Sequence, residues 1–223
     1  MGVHDGHRQR MKKRFLDHGL DSFDDINALE LLLFYALPRQ DTNVTAHALL
    51  SRFGSLHAVL EAPLSELTAV EGMGENSAVL LRLIPAVSRR YMLDKTPDGV
   101  PIDTPVAAGR YFLPWFMYET EEVVYALLLD ARKRPICCRE IGRGTVNAAE
   151  ITARRLAELC LEKRASAVIL SHNHLSGVVM PSAEDEKTTH RLRESLALVG
   201  VELVDHIVVA GYKYSSMKEG GML

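Results

Sequence analysis

The apolar positions change rhythm part-way along the chain. Through residues 1–93 they recur every three to four positions, the spacing of one helix face. Asn27 can cap a helix that runs to residue 37, where Pro38 stops it. Asp41 or Thr42 can start the next, with Ala46, Leu49, Leu50 and Phe53 inward and Gly54 at its end. Residues 55–60, 64–70 and 76–92 keep the helical spacing. Residues 94–105 (DKTPDGVPIDTP) are rich in proline and glycine and almost aperiodic, which marks a linker.

Beyond it the pattern turns to strands. A helix over 107–116 precedes VVYALLL (123–129), the continuous apolar run of a buried strand. A polar turn over 130–134 and a return strand over 136–141 complete a hairpin. A helix over 147–163 follows, with Ile151, Leu156, Leu159 and Cys160 inward. Then come a strand over 167–172, a helix over 182–199 ended by Gly200, and strands over 201–210 and 212–216. The order αββαβαββ predicts a mixed sheet covered by helices. The expected organisation is an α-helical N-terminal domain over 1–93, a linker over 94–105 and an α/β C-terminal domain over 106–223. No internal repeat is evident.

Composition adds limits. At 223 residues, 47% hydrophobic and 25% charged, the chain is an ordinary globular protein with room for one large or two small cores. A net charge of −3 gives no global attraction to nucleic acid or membrane, so any basic surface is local. The densest basic run, Arg8, Arg10, Lys12, Lys13 and Arg14, reads as the solvated face of a first helix or as an arm. Cys137, Cys138 and Cys160 form an odd set without a C-x-x-C pair, which predicts free thiols in a reducing compartment. The run 29–37 carries Glu30 and is too short to span a bilayer, and no secretory signal is visible. A cytoplasmic protein without a membrane partner is expected.

Chemistry concentrates in SHNHLSGVVMPSAED (171–185), where His172, His174, Ser182 and Asp185 are spaced H-x-H-x7-S-x-x-D. Residues i and i+2 of a strand share a face, so the two imidazoles at the end of AVILSH can aim at one point. Gly177 and Pro181 let the loop turn back, and Asp185 falls in the first turn of the next helix. Two imidazoles and a carboxylate suit zinc and leave one tetrahedral position open for water. Structural readings compete. In a chain with nine histidines an H-x-H pair alone carries little, and S-x-x-D is also a capping box. All four together arise by chance only on the order of once in a thousand, so the combination decides.

Three weaker signals remain. LTAVEGMGENSA (67–78) fits a helix-hairpin-helix, with Gly72 and Gly74 letting backbone N–H groups approach a phosphate. The alternative is a plain turn between helices, and Glu71 and Glu75 oppose phosphate. A zinc deaminase would need H-x-E and P-C-x-x-C, which Cys137 and Cys138 do not supply. His206, beside Asp205, reads as support for a metal ligand or as a hydrogen-bonded core histidine.

The full spacing is similar to the JAMM/MPN metalloprotease signature, in which an upstream glutamate precedes H-x-H-x7-S-x-x-D. RGTVNAA (143–149), AVILSHNH (167–174), DHIVV (205–209), MKKRFLDHGLDSF (11–23) and LLLFYALPRQDTN (31–43) resemble the RadC family of bacterial proteins over nearly the whole chain. That resemblance implies a cytidine-deaminase-like α/β/α sandwich of the JAB/MPN kind with a mixed sheet. It implies one zinc ion per chain on His172, His174 and Asp185, with Ser182 orienting or stabilising the reacting oxygen. The implied activity is metal-dependent cleavage of peptide or isopeptide bonds in an unknown peptide or protein substrate. Glu140, four residues before Gly144, is placed as the upstream glutamate and general base. Its alternative is an exposed charge paired with Arg139 or Arg143, and Glu150 is the fallback. The family's loop typically reads HNHPSGDPTPS. Here Leu175, Val178, Val179 and Met180 replace two prolines, an aspartate and a threonine, which predicts a less rigid, more apolar loop. The rival function is a DNA-associated repair protein whose residues 1–93 bind DNA while the metal domain serves as scaffold or nuclease.

Overall fold

A computed structural model describes residues 3–95, 99–144 and 149–223. The chain divides into two compact units between Ser88 and Arg89.

The first unit is helical: α1 (Val3–His18), α2 (Asp25–Ala36), α3 (Thr42–Phe53), α4 (Leu56–Glu61), α5 (Leu64–Thr68) and most of α6 (Glu75–Asp94). Its core is built on Leu29, Leu33, Leu49, Leu67 and Leu81, all fully buried. Helix α2 starts before the expected cap, because the Asp24 carboxylate takes the Asn27 N–H at 2.7 Å and is itself the N-cap. Glu30, the charge inside the apolar run, is buried against His7 Nε2 at 2.9 Å and Asn43 Nδ2 at 3.1 Å. Nor is the basic run simply solvated. Arg8 donates to the Leu37 and Gln40 carbonyls at 2.8 Å, satisfying oxygens left open after α2. Between α5 and α6, Gly72 has φ +84°, and a Cβ there would sit 2.7 Å from Thr45 Oγ1. The tight turn therefore needs glycine for its own packing.

The second unit begins with the last turns of α6, where Arg89 donates to the carbonyls of Pro114 at 3.1 Å and Trp115 at 3.2 Å. Ile102, near the end of the predicted linker, is buried in this unit's core and its N–H bonds Lys133 O at 2.8 Å. The elements that follow are α7 (Pro105–Phe112) with a short 3-10 turn (Leu113–Trp115), β1 (Val123–Leu129), β2 (Pro135–Arg143), α8 (Ala149–Glu162), β3 (Ala167–Asn173), α9 (Ala183–Ala197), β4 (Glu202–Ala210) and β5 (Lys213–Ser216). Residues 147–148, expected to open α8, lie outside the described residues.

The strands form one mixed sheet in the order β2-β1-β3-β4-β5, with β3 and β4 parallel and the other neighbours antiparallel. Period-2 alternation splits β1 between two cores. Tyr125, Leu127 and Leu129 pack under α7 with Phe112 and Ile169, while Ala126 and Leu128 pack under α8 and α9 with Leu156, Leu170 and Leu192. A strand covered on both faces reads as an uninterrupted apolar run, which is why VVYALLL shows no alternation. The result is three layers: helix, sheet, helices. A Cβ on Gly109 would overlap the Tyr214 ring, so α7 approaches β5 here through glycine. The three cysteines are free; burial pushes the Cys160 thiol up to about 11 and raises Cys138 as well. Among the described residues no helix is long and apolar enough to cross a membrane.

Candidate metal centre

The sequence cluster folds onto the connection from β3 to α9, where a strand end meets a helix start. Asn173, between the two histidines, points to the other side and pins the strand end. Its Oδ1 accepts the Val123 N–H at 2.7 Å and its Nδ2 donates to Glu121 O at 3.0 Å. The His174 N–H continues the ladder to Val209 O at 2.8 Å. His172 and His174 are thereby held side by side, with Nε2 atoms 3.0 Å apart.

Asp185 completes the group from the first turn of α9. Its Oδ1 lies 3.3 Å from His172 Nε2 and its Oδ2 3.4 Å from His174 Nε2. Ser182 caps the helix in a reciprocal box: its N–H and hydroxyl both donate to Asp185 Oδ2, at 2.7 and 2.6 Å, and its Oγ accepts the Asp185 N–H at 3.2 Å. Burial pushes the Asp185 carboxyl up, but the neighbouring His172 imidazole and the hydrogen bonds from Ser182 outweigh it and hold it well below the usual carboxylate range. The residue is ionised and aimed.

The donor set fits a small divalent ion. Tetrahedral zinc with bonds of about 2.0–2.1 Å separates its N and O ligands by roughly 3.3 Å, and the three separations here run from 3.0 to 3.4 Å. His174 Nδ1 lies 2.8 Å from Val178 O. A carbonyl can only accept, so Nδ1 carries the hydrogen and Nε2 offers its lone pair to the group. On the far side of His172 lies His206, whose imidazole burial holds neutral, well below its ordinary pKa.

The loop 175–181 is apolar, as expected, with Leu175, Val178 and Met180 more than half exposed. It is also anchored: Val178 O receives His174, and Val179 O accepts from the Ser215 hydroxyl on β5. Where the family's loop has two more prolines, this one is held by these two hydrogen bonds.

Not every candidate joins the cluster. Among the described residues the close group is His172, His174 and Asp185. Glu140 lies outside it, opposite Tyr125, while His172 and Gly142 both pair with Val124. The Arg143 guanidinium binds the Glu140 carboxylate at 2.9 and 3.2 Å and holds it below the usual carboxylate range. Glu150's side chain lies outside the described residues. In the helical unit, the Gly74 N–H bonds Ser77 Oγ at 2.9 Å and the Met73 N–H bonds Val70 O at 3.0 Å. Two donors that a phosphate would use are thus already engaged. Sequence reasoning missed Thr189, whose signal was present: it is the polar member of the buried row Thr189, Leu192, Leu196.

The RadC-like JAB domain model matches residues 102–222. A UPF0758 protein of Stenotrophomonas maltophilia (strain K279a) is 35% identical over 225 residues, covering 100% of this chain and 96% of the relative. Another, from Burkholderia cenocepacia (strain HI2424), is 35% identical over 215 residues, 96% of this chain and 84% of its own. A third, from Paraburkholderia xenovorans (strain LB400), is 34% identical over 210 residues, with coverages of 94% and 83%.

Proposed function

The chain belongs to the RadC family, and from that premise we propose that it is a zinc-dependent hydrolase cleaving peptide or isopeptide bonds. In this reading the second unit is a cytidine-deaminase-like JAB domain. The observation that carries it is the convergence of His172 Nε2, His174 Nε2 and the Asp185 carboxylate, 3.0–3.4 Å from one another. Zinc held there would act as a Lewis acid and lower the pKa of water from 15.7 to about 7.

The chain's own residues have separable tasks. The Ser182 N–H alone can hold Asp185 Oδ2, which frees the hydroxyl to donate to the oxyanion forming on the substrate carbonyl. One such donor is worth about 3 kcal/mol of barrier when well placed. Glu140 is the proposed base, taking a proton from the attacking water and passing it to the leaving amine. Strand β2 lies two strands from β3, about 10 Å at ~4.8 Å per strand, so the carboxylate must swing as substrate binds. Arg143 also binds Glu119 at 2.7 Å, so its charge stays paired when Glu140 leaves. Release from Arg143 raises the Glu140 pKa toward the range of a useful base.

The test compares purified full-length protein, zinc-replete and chelated, against a peptide library. One zinc per chain and cleavage only with zinc are expected. Protein that takes up no stoichiometric zinc, or cleavage indifferent to chelation, overturns the proposal.

A further inference from the structure

A buried run of hydrogen bonds starts on one candidate ligand and ends on the backbone of another. His172 Nδ1 lies 2.8 Å from His206 Nε2. His206 Nδ1 lies 2.6 Å from Thr189 Oγ1, and Thr189 Oγ1 lies 2.6 Å from Asp185 O. Thr189 is fully buried, and His172 and His206 nearly so, so water does not compete for these groups.

The hydrogens in this run can be assigned from its far end. The Asp185 carbonyl can only accept. Two oxygens 2.6 Å apart need a hydrogen between them, so the Thr189 hydroxyl donates to Asp185 O. The other acceptor within its reach, Met217 Sδ at 3.7 Å, is farther and weaker. With its one hydrogen committed, Thr189 Oγ1 must accept from His206 Nδ1. A neutral imidazole protonated at Nδ1 presents a bare Nε2, which must accept from His172 Nδ1. A neutral His172 then has no hydrogen on Nε2, the atom facing His174 and Asp185. The reversed order would give His172 Nε2 a hydrogen to share with His174, but it would leave the 2.6 Å oxygen contact without one.

We propose that Thr189 and His206 are positioning residues that lock His172 in the tautomer offering Nε2 to a metal ion. The proposal rests on reading His172 as a ligand. It adds that the site's readiness is set 17 residues upstream of His206, on the face of α9 that also carries Asp185. Two bare nitrogens 3.0 Å apart are repulsive until a cation sits between them, so the chain keeps its ligands poised and not merely close.

The experiment reads tautomers in metal-free, full-length protein by long-range nitrogen–proton NMR of labelled histidines. Wild type is expected to show His172 and His206 protonated at Nδ1. Thr189→Val removes the acceptor at nearly constant volume and is expected to move both protons to Nε2. Zinc affinity, from chelator competition, should fall about 10–100-fold, the usual cost of removing a partner behind a ligand. Thr189→Ser restores the hydroxyl and should return both readouts, which a packing role for the side chain would not. Thr189→Ala repeats the test if the valine variant fails to fold. Metal-free wild type with His172 protonated at Nε2 overturns the proposal, as does a folded hydroxyl-free variant with wild-type zinc affinity. The tautomer readout needs neither zinc nor turnover, so it stays separable from the hydrolase reading.

Discussion

Replacing Asp185 separates its two jobs, because asparagine and alanine remove them in different proportions. In Asp185→Asn the side-chain oxygen can still accept the Ser182 N–H, but the ionised ligand is gone. In Asp185→Ala the reciprocal cap is lost as well. Without metal, asparagine should cost about 0.3–1 kcal/mol, the value of a first-turn charge. Alanine should add roughly 1 kcal/mol for the lost cap. At about 2–4 °C per kcal/mol for a chain of this size, the apo melting temperatures should differ by only a few degrees. With zinc the contrast should be large. Free zinc at 1,000 times Kd stabilises the wild type by about 4 kcal/mol, or roughly 8–16 °C. Neither variant should show that rise. The assay is thermal unfolding with and without chelator, paired with metal content by elemental analysis. A wild-type zinc shift and one bound zinc in Asp185→Asn would refute the ligand assignment and the geometry behind it.

Glu140→Gln should keep full zinc content while losing peptide hydrolysis, and its exposed pair with Arg143 should cost under about 1 kcal/mol of stability. Hydrolysis that survives this substitution removes Glu140 as base. Gly72→Ala should destabilise the helical unit by about 1–2 kcal/mol from the left-handed backbone alone, plus the clash with Thr45. Gly74→Ala has nothing within 4 Å of the new Cβ and should cost far less, a contrast that chemical denaturation of the full chain would read. Fluorescence anisotropy with a DNA duplex at low salt should show no steep salt-dependent binding. The Met73 and Gly74 N–H groups are engaged within the turn, and Glu71 and Glu75 flank it. Affinity that falls by orders of magnitude with added salt would support the DNA reading instead.

The candidate metal cluster was legible because its parts lie within fourteen residues and their convergence follows from local geometry alone: period two in β3, a turn, then a helix N-terminus. Glu140 was less legible for a non-local reason. A register shift between Val124 and Tyr125 inserts Ile141 into β2, so counting along the strand does not give the face its carboxylate takes. The cap of α2 was misjudged by three residues because Asp24 and Asn27 are both good caps, and only the chain's entry direction selects Asp24. The division within α6 is likewise non-local. Pro85 sits inside the helix without ending it, and the compact division falls at Ser88 and Arg89, where Arg89 reaches the Pro114 and Trp115 carbonyls.

The loop between the ligands gives the more general lesson. Proline content mainly limits the freedom of the unfolded chain, so its loss in HNHLSGVVMPS says little about how the folded loop is held. What holds it is two backbone carbonyls, Val178 O on His174 and Val179 O on Ser215. Every residue type has a carbonyl, so these anchors survive substitution of the side chains around them. Leu175, Val178 and Met180 are therefore free to vary on the outer surface without moving His174. A chain can depart from its family's loop sequence here and still keep the imidazole aimed at the same point.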